Sequence, residues 1–276
     1  MSSGLRTPRA RIAAGIGIAL CLIWIAIPYY FLIVTSLVPQ GTAVRGFAWP
    51  DFTTLDNYRQ ILTGANTLWP YLFNSVVVTL SVTLLALLIG VPAGYGLSRL
   101  RRFPAAKGLY LSFFVLRMLP PVAFVIPYFL VFSRLQWLDT RRALVLALLP
   151  FALSFTVWTI KAFFDGLPFD VEEAAQLDGA NPFQIFAVII LPMVGQAVAA
   201  TGLLTFLLAY VDYLFAVTLT SNKAVTYAVY LVTFQNDYRV YVNAMMAATL
   251  LGTLPMVALY FYAQRYMRRM AIMGTI

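Results

Sequence analysis

The stretch FDGLPFDVEEAAQLDGANPFQIFAVIILPMVGQ, Phe164 to Gln196, interrupts an otherwise nearly continuous series of apolar segments and carries helix signals of its own. Asp170 is a good N-cap, and Glu173 stands three residues later as in a capping box. Ala174, Ala175, Leu177 and Ala180 then give a short helix with small residues on one side. Asn181-Pro182 breaks that helix, and Pro182 suits the first position of the next one. The following run, Phe183 to Leu191, is apolar and ends at Pro192. Five of the chain's ten acidic residues lie here: Asp165, Asp170, Glu172, Glu173 and Asp178. An anionic lipid surface would repel a helix that concentrates them. A short, acidic, small-sided helix suits docking into a protein groove instead.

On either side of this stretch the chain is apolar. Of its 276 residues 62% are hydrophobic and 11% charged, with a mean hydropathy of +0.84. That composition excludes an ordinary soluble domain, in which about a quarter of residues are charged. A membrane-crossing helix needs about 20 mainly apolar residues. Six stretches reach that length: approximately Ile12 to Val38, Pro70 to Ser98, Gly108 to Ser133, Ala143 to Phe163, Ala197 to Leu219 and Val242 to Ala263. The expectation is one all-α integral membrane domain of six transmembrane helices over residues 12–263. A cytoplasmic loop that carries the acidic helix, 164–196, joins helices four and five, and cytoplasmic termini occupy 1–11 and 264–276.

The first apolar run is far longer than the 7–15 residues of a signal-peptide core, so an uncleaved helix is expected. With the N-terminus inside, the inner face collects Arg6, Arg9, Arg11, Arg99, Arg101, Arg102, Lys107, Lys161, Arg265, Arg268 and Arg269, which is 11 of the 19 Lys+Arg. Seven face outward: Arg45, Arg59, Arg134, Arg141, Arg142, Lys223 and Arg239. The bias follows the positive-inside rule, although Arg141 and Arg142 run against it. It also explains the net charge of +9 by topology and anionic lipid, with no nucleic-acid partner. Pro28, Pro92, Pro120, Pro121, Pro127 and Pro255 lie inside spans, as helix-shaping kinks or as hinges.

The chain contains no histidine and one cysteine, Cys21, inside the first apolar segment. Disulfide, zinc and Cys/His nucleophile chemistry are thereby excluded. No G-x-x-x-x-G-K-[ST] run is present, and Gly94-Tyr95-Gly96 lacks the rest of any phosphate-binding pattern. The chain is expected to be no enzyme and to hold no cofactor. Two charges lie well inside spans, Arg117 in the third and Asp212 in the fifth, where a charge needs a partner or water. Two readings stay open for them: mutual pairing, or a polar cavity where Asp212, flanked by Tyr210 and Tyr213, meets a hydroxylated solute. Arg117 would favour an anion.

Glu173-Ala174-Ala175, three residues, Gly179, nine residues, Ile189, one residue and Leu191-Pro192 resemble at full spacing the EAA signature of importer-type ABC transporter permeases. The chain is most similar to the carbohydrate-uptake permeases of the maltose-transporter type, the shorter of their two membrane subunits. Pro28 with Thr35-Ser36-Leu37, Leu55-Asp56-Asn57-Tyr58, Asn74-Ser75, Leu119-Pro120-Pro121 with Ile126-Pro127, Phe163-Phe164 with Leu167-Pro168, and Asp178-Gly179-Ala180 extend the resemblance over nearly the whole length. It departs from the family at Tyr210-Val211-Asp212, where Trp-Asn-Glu or Trp-Asn-Asp is frequent. A second departure is in the tail after Gln264-Arg265-Tyr266, where Met270 stands for the usual glycine.

The resemblance implies a permease that moves a sugar or related polyol across the cytoplasmic membrane. It implies pairing with a second permease subunit as a heterodimer, two nucleotide-binding ATPase subunits that hold ATP and Mg, and an extracytoplasmic solute-binding protein. It assigns Glu173, Ala174, Ala175, Asp178, Gly179, Ile189, Leu191 and Pro192 to coupling with the ATPase, whose closure would push on spans four and five. A secondary transporter or channel for a small polar solute shares the composition, but neither needs an acidic docking helix between those spans. An intramembrane hydrolase would need a catalytic constellation at membrane depth that a chain without histidine and with one deep carboxylate lacks.

Overall fold

The computed structural model describes residues 8–42, 49–50, 52–64, 66–100, 103–236 and 239–273. Arg6, Arg45, Arg101, Arg102 and the ends of both expected termini lie outside the described residues. The chain is helical, in the order α1 (Pro8–Ser36), α2 (Asp56–Thr63), α3 (Trp69–Arg99), α4 (Pro104–Met118), α5 (Pro121–Arg134), α6 (Arg141–Asp165), α7 (Asp170–Leu177), α8 (Pro182–Met193), α9 (Gly195–Tyr210), α10 (Leu214–Leu219), α11 (Tyr227–Val232) and α12 (Val242–Met273). A small antiparallel hairpin, with Gln235 opposite Val240 and Asn236 opposite Arg239, precedes α12.

Four helical segments are each long and apolar enough to cross a membrane: Ala14–Ser36, Trp69–Arg99, Arg141–Asp165 and Val242–Arg265. Two bent pairs, α4 with α5 and α8 with α9, reach that length together. The single helix expected over Gly108 to Ser133 is thus two helices meeting at 97°. The cause is local. Leu119 and Pro120 each precede a proline, which disfavours helical backbone, and both are extended, with ψ of 131° and 129°. Pro28, Pro92 and Pro255, by contrast, sit inside unbroken helices.

The helix expected over Ala197 to Leu219 also differs. It begins at Gly195, ends at Tyr210 and restarts as α10 after Val211–Tyr213. At its other end it meets α8 at 75°. Within α8, residues Ile185–Ile190 are π-helical. Pro192 has no N–H to donate to the fourth residue before it, and the Leu191 N–H bonds Phe186 O, five back.

The chain divides into two compact units. In the first, Met1–Trp69 with Leu231–Thr253, two buried asparagines fasten the end of α1. Asn57 Nδ2 donates to Ser36 O at 2.9 Å and Val38 O at 2.7 Å, and Asn243 Nδ2 donates to Thr35 O at 3.1 Å. Earlier in α1 the apolar side chains face outward, Trp24 with 79% exposure, which only an apolar solvent or partner makes stable.

The second unit, Pro70–Tyr230 with Leu254–Ile276, has two apolar centres. One gathers Val78, Val82, Phe132, Leu144, Leu148, Phe215 and Leu219. The other gathers Val91, Ile160, Phe164, Ala175, Ile185, Ile190, Val194 and Ala197, seating α7 and α8 on the ends of α3 and α6. Between the two, α3 and α6 approach closely at Gly90 and Gly94. A Cβ on Gly90 would stand 2.7 Å from Thr156 Cγ2, and one on Gly94 3.2 Å from Ile160 Cγ2. The spacing is the small-xxx-small pattern that lets membrane helices touch backbone to backbone.

Candidate functional site

Helix α7 starts one residue earlier than the sequence suggests. Phe169 is the N-cap with helical dihedrals, no side chain caps the helix, and Asp170 lies inside its first turn. The expected Asp170/Glu173 capping box is therefore absent. Asp170, Glu172 and Glu173 instead place three carboxylates in the first turn, where the positive end of the helix dipole favours them. A capping box does form eleven residues on: Asn181 Oδ1 accepts the Gln184 N–H and Gln184 Oε1 accepts the Asn181 N–H, both at 2.9 Å. Pro182 occupies the first helical position, as expected.

At its far end α7 closes in a Schellman arrangement. The Gly179 N–H donates to Gln176 O and the Ala180 N–H to Ala175 O, each at 3.0 Å, with Gly179 at φ +85°. The two faces of α7 differ. Ala175 and Glu172 are buried, while Glu173, Ala174, Gln176, Asp178, Gly179 and Leu177, at 90% exposure, face away from the bundle. Phe183 on α8 is also exposed, at 76%. Of the remaining signature positions, Ile189 and Leu191 are half-buried against the α3/α6 ends and Pro192 is exposed.

Sequence reasoning missed what holds the inner face. Arg99, at the end of α3, donates through Nε to Glu172 Oε1 at 2.6 Å and through Nη1 to Phe164 O at 3.1 Å. Its Nη2 also lies 2.6 Å from Glu172 Oε1, and the two side chains are only 12% and 10% exposed. Tyr95 OH donates to Glu172 Oε2 at 3.0 Å. The guanidinium lies over the Phe169 ring, 4.5 Å from its centroid. The available signal was Tyr95 and Arg99 at i, i+4 spacing on the last turns of an apolar helix. Asp165, grouped in sequence with the docking acids, is paired instead with Lys161 at 2.6 Å.

The four residues expected along a solute path do not line one cavity. Arg117 lines a cavity of about 280 Å³ with Leu119, Pro121, Phe151, Phe155 and Thr205, at the break between α4 and α5. Its guanidinium lies 4.9 Å from the Phe155 ring centroid and 5.5 Å from that of Trp158. Asp212 lines a smaller pocket with Tyr210 and Thr226 that shares Leu148 and Ala209 with the first, and its Oδ2 accepts the Ala216 N–H at 3.3 Å at the restart of α10. Neither Asp212 nor Arg117 joins an ion pair among the described residues. Tyr210 is buried and stacked on Phe206 with centroids 5.6 Å apart. Tyr213 is half-exposed at 40% and lines neither cavity.

At the opposite end of the second unit from α7, Asp139 organises the connector after α10. Its carboxylate accepts the backbone N–H groups of Ser221, Asn222 and Ala224 at 3.1 Å and of Lys223 at 2.9 Å. Burial works to raise its pKa, but these four donors outweigh it and hold the group at about 2, against an ordinary 3.8. A depressed carboxylate contributes its stability above the ordinary value and loses it as pH falls through the folded one. The connector should therefore stay fastened at pH 5 and loosen only between pH 4 and 2. Asp139→Asn should loosen it at neutral pH, seen as faster tryptic cleavage at Lys223. Equal cleavage of the two proteins would refute the fastening role.

The sequence profile described as "Binding-protein-dependent transport system inner membrane component" matches residues 86–271. The chain belongs to that family. The trehalose transport system permease protein SugB of Mycobacterium tuberculosis is 31% identical over 242 residues, covering 87% of this chain and 88% of the relative. The trehalose/maltose transport system permease protein MalG of Thermococcus litoralis is 31% identical, covering 93% of each chain. Among solved structures, a chain of a bacterial ABC transporter that imports the acidic polysaccharide alginate shares the fold. It superposes with a TM-score of 0.68 at 22% identity, covering 94% of this chain and 98% of its own. As a member of the family this inner membrane component is an integral permease subunit of an ABC importer, a transport protein rather than an enzyme.

Proposed function

We propose that this permease moves a sugar or related polyol inward, and that α7 is the element docked in a cleft of a separate ATPase subunit that holds ATP and Mg. The observation that carries the reading is the two-faced α7. Its inner face is fixed to α3 by a buried ion pair, and its outer face offers Glu173, Asp178, Leu177 and the turn at Gly179. An exposed Leu177 and an exposed Phe183 at a polar end of a membrane protein fit a protein cleft better than water. The functional complex would contain a second permease subunit as heterodimer partner, two ATPase subunits and an extracytoplasmic binding protein. Both termini and α7 would be cytoplasmic, and the Asp139 connector would face the binding protein.

The carbohydrate class is supported by the trehalose and maltose systems of the two relatives. Along the path, Arg117 has the stronger claim to solute, since its cavity can admit polar groups, while Asp212 serves its own backbone. The test is uptake of labelled di- and oligosaccharides into proteoliposomes. The whole complex should transport only with ATP, and Glu173→Lys should release the ATPase subunits and abolish transport. Uptake by this chain alone, with no ATPase, would overturn the reading in favour of a secondary carrier or channel.

A further inference from the structure

Connectivity alone leaves α7 a hinged element. It hangs from α6 by the four residues Gly166 to Phe169 and continues to α8 through the turn at Gly179. A thrust on its outer face would partly dissipate in rotation about those two connectors. The contacts of Arg99 remove that freedom, because they fasten α7 to a helix 73 residues away in the chain. The guanidinium is held on three sides at once: Glu172 by Nε and Nη2, Phe164 O by Nη1, and the Phe169 ring on its face. Lysine, a point charge without a planar fork, could not make all three. Tyr95 takes the remaining carboxylate oxygen, and its ring packs on Phe164 at 5.4 Å and Phe186 at 5.0 Å, so it touches α6 and α8 as well. The pair resists separation because parting it would leave a buried charge without its counter-ion.

We infer that Tyr95, Arg99 and Glu172 form a latch that makes α3, α6 and α7 one rigid body, so that movement of the docking helix is delivered to the second apolar span as well as to the spans joined to it by the chain. This rests on the docking reading of α7 given above. The two adjacent glutamates divide the work: Glu173 faces the partner and Glu172 faces the bundle. The third side of the triangle is the close α3/α6 approach at Gly90 and Gly94. All three latch residues are positioning residues, acting on the solute path through helices rather than by contact.

The latch is tested in the full complex, in nanodiscs, by ATP hydrolysis with and without the complex's own binding protein. Glu172→Gln should leave the ATPase subunits bound and the basal rate within twofold of wild type, while stimulation by the binding protein falls at least fivefold. Tyr95→Phe keeps the ion pair and the ring packing and should lose about twofold of the stimulation. The double variant Arg99→Gln/Glu172→Gln should be no worse than either single one, since the latch acts as a unit. A role confined to folding would lower the melting temperature without changing the stimulation ratio of complexes that assemble. Unchanged stimulation in assembled Glu172→Gln overturns the latch, and should that variant not assemble, unchanged stimulation in Tyr95→Phe does so. The docking reading fails separately, if Glu173→Lys keeps its ATPase subunits and its stimulation.

Discussion

Gly179→Val is expected to insert and assemble with its membrane neighbours normally yet to lose roughly tenfold or more of binding-protein-stimulated ATP hydrolysis, the factor that about 1.4 kcal/mol of misplaced docking surface produces. Gly179 holds φ +85°, and a Cβ built there meets nothing within 4 Å. The objection to a side chain is therefore backbone strain, not space. A left-handed residue costs about 1–2 kcal/mol with an ordinary side chain, and a β-branched one is a true outlier there. That strain is relieved by undoing the two closing bonds from Gly179 and Ala180 to Gln176 and Ala175. Undoing them frees the last turn of α7, which carries Leu177 and Asp178. Asparagine tolerates the left-handed region, so Gly179→Asn should stay within about threefold of wild type. Equal loss in the two variants would mean that the exposed Gly179 surface itself, rather than its backbone, meets the partner.

The sequence showed what depends on composition and local spacing. The apolar runs, the acid-rich interruption and the Asn181-Pro182 restart were legible because hydropathy and capping are short-range properties. The breaks were half legible. Leu119-Pro120-Pro121 announces a discontinuity, but a membrane span read by length averages over it, and the angle of 97° depends on what the two halves pack against. Nothing around Val211–Tyr213 contains proline or glycine, so the end of α9 could not be read locally. Asp212 looked functional because it is a carboxylate at membrane depth, yet it spends an oxygen on the Ala216 N–H of a helix whose start was not visible. The latch was illegible for the opposite reason. Arg99 and Glu172 are both ordinary charges at the ends of helices, and only the fold brings them together across 73 positions.

Arg117→Glu is expected to be strongly damaging at the break between α4 and α5. The guanidinium sits over the faces of Phe155 and Trp158, where the negative quadrupole of each ring attracts a cation by about 0.5–2 kcal/mol, depending on desolvation. A carboxylate in the same place meets those faces with the opposite sign. Among the described residues, no lysine or other arginine lines the cavity to pair with it. Loss of the cation–π attraction and its replacement by a repulsion of similar size predicts a drop of about tenfold in folded protein or in uptake. Arg117→Met then separates support from recognition, because it keeps apolar volume over the rings and removes every donor. If Arg117 contacts the solute, the methionine variant should show a raised KM for uptake with basal ATP hydrolysis and melting temperature near wild type. If it only braces α4 against α6, KM should stay constant while the melting temperature falls. The second outcome would place the solute contacts of the complex on the partner permease and leave the cavity at the α4/α5 break as a structural void.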